Sequence, residues 1–128
     1  MIVLDTHAWL WWAADRAKLP PKLRRRLGAE ANLAVSAISC WEVAMLVARG
    51  RLTLRTDVRV ALRAMGALPG LRVVAVDDDI ATEAALFGDA MHGDPADRII
   101  VATAKVLAAT LATKDERIRE AGVVPTIW

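Results

Sequence analysis

Four acidic residues stand where the pattern of the chain changes: Asp5 in IVLDTH, Glu42 in VSAISCWE, Asp97 in HGDPADRIIVATA and Asp115 in LATKDE. Each follows a short apolar run or opens an amphipathic segment. Carboxylates brought together repel one another, and a pair ~4 Å apart costs about 4 kcal/mol at an effective dielectric near 20. A divalent cation removes that cost, and hard oxygen donors suit Mg2+ or Mn2+. An acid-only site without a strong general base points to phosphoryl chemistry on a metal, where the cation activates water and offsets charge on the phosphate. Taken singly, each acid also has a plain structural use. Asp94 reads as a helix N-cap, Pro95 as the first helical residue and Asp97 as the third. Ser39 to Glu42 and Thr113 to Glu116 both match a capping box, and Asp5 is placed to cap the helix after the first strand. In the 113–116 box it is Glu116 that fits, which leaves Asp115 without a capping role.

The elements that must position these acids follow from short β-branched or apolar runs. Strands are expected at Ile2–Leu4, Leu33–Val35, Val73–Val76, Leu111–Ala112 and Val123–Ile127, with helices near 7–14, 20–30, 39–49, 55–67, 79–90, 95–109 and 115–121. Strands that alternate with helices argue for a parallel sheet covered on both faces. The expected fold is therefore an α/β/α sandwich, three layers around a central parallel sheet of four to five strands. In such a sheet the carboxyl ends of all strands open on one edge, where ligands bind. Asp5, Glu42 and Asp115 then project towards one rim. Asp97 joins them if its helix starts there, as the strand after it requires.

Competing sites are poorly populated. His7 and His92 are far apart in sequence, and no His/Cys cluster offers a zinc set. Neither GxxxxGK[ST], GxGxxG nor GxSxG occurs. The single cysteine, Cys40, excludes an internal disulfide framework and reads as a small core filler in a reducing, cytoplasmic setting. At 128 residues the chain is read as one domain, 1–128, and no apolar stretch approaches the roughly 18 residues that a membrane span needs. MIVLD at the start has no basic lead, so a secretory signal is not expected. The net charge of +2 is mild. Neutralising four of the acids with metal would leave a clearly basic surface, attractive to a polyanion.

Two further stretches invite partners. Arg55, Arg59 and Arg63 recur every four residues on a helix whose other face carries Val58, Leu62 and Met65; a solvated face is the plainer reading, an RNA track the sharper one. Arg24, Arg25 and Arg26, and Arg49 with Arg51, are equally ambiguous. Trp9, Leu10, Trp11, Trp12 and Ala13 form a helix that is apolar nearly all round, with Trp41 in the same neighbourhood. Such a helix is either sandwiched in the core or covered by another chain. The expectation is that Trp9 and Trp12 serve an interface.

At these residues the chain resembles the PIN-domain ribonucleases, specifically the VapC-class toxins of prokaryotic toxin–antitoxin pairs. The likeness runs nearly end to end, through MIVLDTHAWLWW, SAISCWEVAMLVARGRL, HGDPADRIIVATA and LATKDERI. The resemblance implies that Asp5 and Asp97 are the principal metal-binding acids, with Glu42 and Asp115 completing a catalytic quartet. It implies Mg2+ or Mn2+ as cofactor and hydrolysis of RNA phosphodiester bonds as the reaction. Thr6 and Thr113, which flank quartet members, would orient water or phosphate. Asp94 matches an accessory acid and is given the N-cap role, and His92 a surface or capping role. The implied partners are RNA, a cognate antitoxin protein that blocks the acidic site, and a second copy in a homodimer, with DNA reached only through the antitoxin. Two other readings remain. One is a phosphoacceptor receiver-like domain using the acids of VVAVDDD (73–79), although such a domain wants an acid pair after the first strand, where only Asp5 stands. The other is a non-catalytic PIN scaffold that only binds a partner.

Overall fold

The computed structural model describes residues 1–128. Five strands, β1 (Ile2–Leu4), β2 (Leu33–Ser36), β3 (Leu71–Val74), β4 (Thr110–Ala112) and β5 (Thr126–Ile127), form one parallel sheet in the order β3-β2-β1-β4-β5. Seven helices cover it: α1 (Thr6–Ala14), α2 (Pro21–Ala29), α3 (Ala37–Ala48), α4 (Val58–Gly66), α5 (Asp78–Leu86), α6 (Pro95–Val106) and α7 (Glu116–Ala121). The three layers follow from the two-residue side-chain period of the strands. Ile2, Leu4, Leu33, Val35 and Ala112 face one core with Trp9, Trp12, Leu23, Leu27, Val43 and Met65. Val3, Ala34 and Leu111 face the other, with residues of α5, α6 and α7 such as Ile80, Ile100 and Ile118. The central strands are buried on both faces, as parallel strands must be.

The topology fixes where a ligand can enter. From β1 the chain winds outward through β2 to β3, then α5 and α6 carry it back across to β4 on the other side of β1. The connections leaving β1 and β4 thus diverge, and the carboxyl ends of these two strands border the crevice that such a reversal creates.

Several expected boundaries shift, each for a local reason. β3 begins at Leu71 because Gly70, with φ of 75°, turns the chain into the sheet directly after Pro69. β5 is confined to Thr126–Ile127, since only these residues pair with β4. The helix expected from residue 55 starts at Val58, capped by Asp57, whose carboxylate accepts the Arg59 N–H. Arg55 therefore lies outside that helix, and the basic stripe reduces to Arg59 and Arg63. The tryptophan expectation is corrected as well. Trp9 is 0 % exposed and Trp12 6 % exposed, and the Trp9 indole N–H donates to the Met65 carbonyl at 3.2 Å. Both belong to the core between α1, α2 and the sheet, so neither is available to an interface. The exposed tryptophan is Trp41, at 55 %.

Candidate metal centre

Asp5 ends β1 and caps α1, its Oδ1 accepting the Ala8 N–H at 2.7 Å. The next residue, Thr6, is buried; its hydroxyl donates to Glu42 Oε1 and lies 2.8 Å from the buried Ser39 hydroxyl. Glu42 is thereby held from α1 although it sits on α3. The expected Ser39 to Glu42 capping box is not formed. Ser36 caps α3, accepting the Ile38 N–H, because the helix starts three residues earlier than the box requires. Ser39 is instead an internal hydroxyl behind Thr6 and Glu42.

α6 resolves the ambiguity of its own first turn. Asp94 caps it and accepts the Asp97 N–H at 3.1 Å, and Pro95 is the first helical residue. Asp97 caps nothing, so its carboxylate is free to face the crevice. Its Oδ2 lies 3.3 Å from His92 Nε2 and 3.9 Å from the Arg117 guanidinium. His92 is half-buried rather than a surface group. Its Nδ1 accepts the Asp94 N–H at 3.4 Å, which turns Nε2 towards Asp97. Nε2 is close to the carboxylate without the alignment of a hydrogen bond.

Asp115 does have a capping role, contrary to expectation. It caps α7 through Oδ1, which accepts the N–H groups of Arg117 at 2.8 Å and Ile118 at 3.4 Å. Glu116 is the first helical residue and lies outside any box. Thr113, fully buried, accepts the Asp115 N–H at 3.1 Å and sets the turn. Asp115 keeps Oδ2 free of the cap, 3.3 Å from the Arg117 guanidinium.

The four acids, drawn from four elements, line one cavity of about 370 Å³ together with Asp94, Thr6, His7 and Lys114. Thr113 stands behind it. The closest set of possible ligand atoms is His92, Asp97 and Asp115, mutually within 4.8 Å; Asp5 and Glu42 share the cavity outside that set.

Burial dominates the electrostatics of the acids, and at Asp97 and Glu42 neighbouring carboxylates add to it. Burial, then Asp94, Glu42 and Asp115, push the Asp97 carboxyl up to about 7, against the downward pull of Arg117. Burial also raises Asp5, more than the Thr113 hydrogen bond and the Ala8 N–H lower it. Burial likewise raises Glu42, with Asp94 and Asp5 adding to the effect and Thr6 opposing it. Asp115 alone is lowered: its desolvation is outweighed by the Arg117 side chain and the two capping N–H groups. Carboxyls held above their ordinary range in a shared cavity fit a hard divalent cation, which would take the place of the proton on Asp97.

Arg98 is a supporting residue that sequence reasoning missed. Its guanidinium donates to the carbonyls of Ala84, Gly88, Met91 and His92, and more weakly to Ala85. It ties the end of α5 and the 88–92 turn to α6, so that His92 and Asp94 approach Asp97 in one geometry. Arg117 and Lys114 were likewise missed; their positions beside Asp115 were the available signal. The receiver-like reading fails on placement. Asp77 caps α5 by accepting the Ile80 N–H, beyond the edge strand β3 and apart from the acidic cavity.

Comparison with known proteins agrees with the fold. The PIN domain family model matches residues 2–124. Ribonuclease VapC22 of Mycobacterium tuberculosis is 34% identical over 118 residues, 92% of this chain and 89% of that protein. Among solved structures, FitAcB from Neisseria gonorrhoeae superposes with a TM-score of 0.69 at 24% identity, covering 100% of this chain and 97% of its counterpart. VapBC2 from Rickettsia felis, bound to a DNA fragment from its promoter, gives 0.72 at 15% identity, covering 99% and 98%.

Proposed function

The chain belongs to the PIN-domain family and, within it, to the VapC ribonucleases, and from that premise we propose that it is a metal-dependent endoribonuclease acting as the toxin of a toxin–antitoxin pair. The observation that carries the reading is the convergence of Asp5, Glu42, Asp97 and Asp115 on one cavity at the point where the sheet reverses direction. Residues 1–128 act in it as one PIN domain.

These four carboxylates are the catalytic and metal-holding set, and Mg2+ or Mn2+ is the cation their oxygen donors suit. When bound, the cation supplies Lewis acidity, lowering the pKa of water and offsetting charge that builds on the phosphate. The chain's own residues do the positioning. Thr6 fixes the rotamer of Glu42, Thr113 sets the turn that aims Asp115, and the Asp94 cap relieves Asp97 of backbone duty. Lys114, at the cavity wall, offers an RNA phosphate a positive contact that the acids cannot.

Structures that share this fold include a toxin–antitoxin complex and a VapBC bound to promoter DNA, which supports a cognate antitoxin as partner; contact with DNA is assigned to that antitoxin alone. A homodimer is proposed as well, and Trp41, a large apolar side chain left 55 % exposed, is the residue offered to it. No helix is long and apolar enough to cross a membrane, and the site of action is taken as the cytoplasm. The test is cleavage of total RNA by purified protein with added Mn2+, with and without the antitoxin. Metal-dependent cleavage that the antitoxin suppresses supports the reading, and its absence across Mg2+ and Mn2+ concentrations overturns it in favour of a non-catalytic scaffold.

A further inference from the structure

A second cavity, larger than the acidic one at about 570 Å³, opens between α2, α7 and the end of β5. Lys22, Arg25, Arg26 and Arg119 line it, Trp128 forms part of its wall, and no carboxylate side chain takes part. Arg26 shares its charge with Glu30 at 3.5 Å, whereas Lys22, Arg25 and Arg119 form no ion pair. Uncompensated cations around one concavity raise the local concentration of anions.

This cavity is joined to the acidic one by an aromatic bridge. Trp128 packs against Trp11 with ring centroids 5.8 Å apart. The Lys114 ammonium stands 4.6 Å over the Trp11 ring and also lines the acidic cavity. α7 makes a second link, since Ile118 borders the acidic cavity and its neighbour Arg119 the basic one. A cation, a pair of packed aromatic rings and a cluster of cations therefore follow one another along a path leading away from the acids.

We infer that the basic cavity and the Trp11–Trp128 pair form a subsite for single-stranded RNA flanking the cleaved bond, with a phosphate among Lys22, Arg25 and Arg119 and a base against Trp128. The inference rests on the ribonuclease reading of the acidic cavity. Alternating phosphate and base is the repeat that cations interleaved with aromatic rings match, and an aromatic face accepts any base. An acidic peptide would answer the cations but leave the aromatic wall without a counterpart.

The test measures binding of a labelled short oligouridylate to metal-free protein by fluorescence anisotropy, and separately KM and kcat for RNA cleavage in Mn2+. The double variant Arg25→Ala, Arg119→Ala is compared with Arg59→Ala, Arg63→Ala, which removes the same charge elsewhere. The expected result is binding weakened about tenfold by the first pair and little by the second, with a shallower salt dependence and a raised KM at unchanged kcat. Trp128→Ala weakens binding by about tenfold while Trp128→Phe retains most of it. Equal losses from both arginine pairs would mean diffuse attraction and overturn the subsite. So would unchanged RNA binding by the Arg25, Arg119 variant accompanied by weaker binding of an acidic peptide, which would assign the cavity to a protein partner. Binding that behaves as expected in a protein that cleaves no RNA would sink the ribonuclease reading and leave the RNA subsite standing. Cleavage with KM unmoved by the Arg25, Arg119 change would do the reverse.

Discussion

Asp97, unlike Asp5 and Asp115, has no backbone duty, and that freedom is conferred by its neighbour. Asp94 takes the cap, yet its charge is the largest coulombic contribution holding the Asp97 carboxyl up to about 7. Two outcomes follow. Asp97→Asn is expected to lower RNA cleavage by at least about a hundredfold with the fold intact, since a ligand is lost and no cap is. Asp94→Asn keeps an equally good cap while removing the charge, so the Asp97 pKa falls. Nuclear magnetic resonance titration of the side-chain carboxyl reads that shift directly, and an unmoved midpoint would refute the coupling. A third outcome concerns Thr6. Replacing it with valine keeps the shape and deletes the donor to Glu42, with an expected loss of about tenfold in cleavage and a modest loss of stability, about 1–3 kcal/mol, from the buried Ser39 hydroxyl left without its partner.

Where elements meet, most of the site is built from helix starts. α1, α6 and α7 all begin at the same sheet edge, and the residues that cap them, Asp5, Asp94 and Asp115, line the cavity. Their capping atoms are spoken for, but a carboxylate has a second oxygen, so holding a helix and holding a cation are compatible. Partial positive charge at the helix N-termini also lessens the repulsion among the acids. The 88–92 turn is anchored by Met91 in the core and by Arg98, whose guanidinium reaches three of its carbonyls. Arg98→Ala removes a charged donor from several carbonyls at once, and a loss of about 2–3 kcal/mol is expected in denaturant unfolding. Cleavage should fall with it, because His92 and Asp94 lose their fixed approach to Asp97. A variant of wild-type stability would show that the turn is held by other contacts.

For the molecule as a whole, the acidic cavity sets opposite pH responses with and without metal. The Asp97 carboxyl is raised in the folded state above the ordinary value of 3.8. The folded protein therefore binds more protons than the unfolded chain between about pH 4 and 7, and metal-free stability falls as pH rises through that window. A cation replaces the proton, so its stabilising effect grows across the same range. Melting temperatures of metal-free and Mn2+-loaded protein are expected to diverge from pH 5.5 to pH 8, and parallel curves would contradict the assignment. Self-association is a separate matter at the opposite surface character. Trp41 is exposed while Trp9 and Trp12 are internal, so for the proposed homodimer Trp41→Glu is expected to give monomer in sedimentation with little change in monomer stability, and an unchanged sedimentation coefficient would remove Trp41 from the interface.

Much of this was legible in the amino-acid order. Strand–helix alternation defined a parallel sheet, and a parallel sheet sends Asp5 and Asp115 to the same edge whatever the details of packing. The caps of α6 were legible for the same reason, since Asp94, Pro95 and Asp97 act within one turn. What local order left open was which of two compatible roles a residue takes when the deciding partner is remote. Ser39 looked like a cap until its pairing with Thr6, 33 residues away, made it an internal hydroxyl. Trp9 and Trp12 looked like interface residues because a short apolar helix does not reveal what covers it; α2, α4 and the sheet cover it here. Arg98 and the basic cavity beside Trp128 were invisible for a related cause. Their meaning lies in contacts across the fold, and such contacts exist only once burial of the two cores has brought distant segments together.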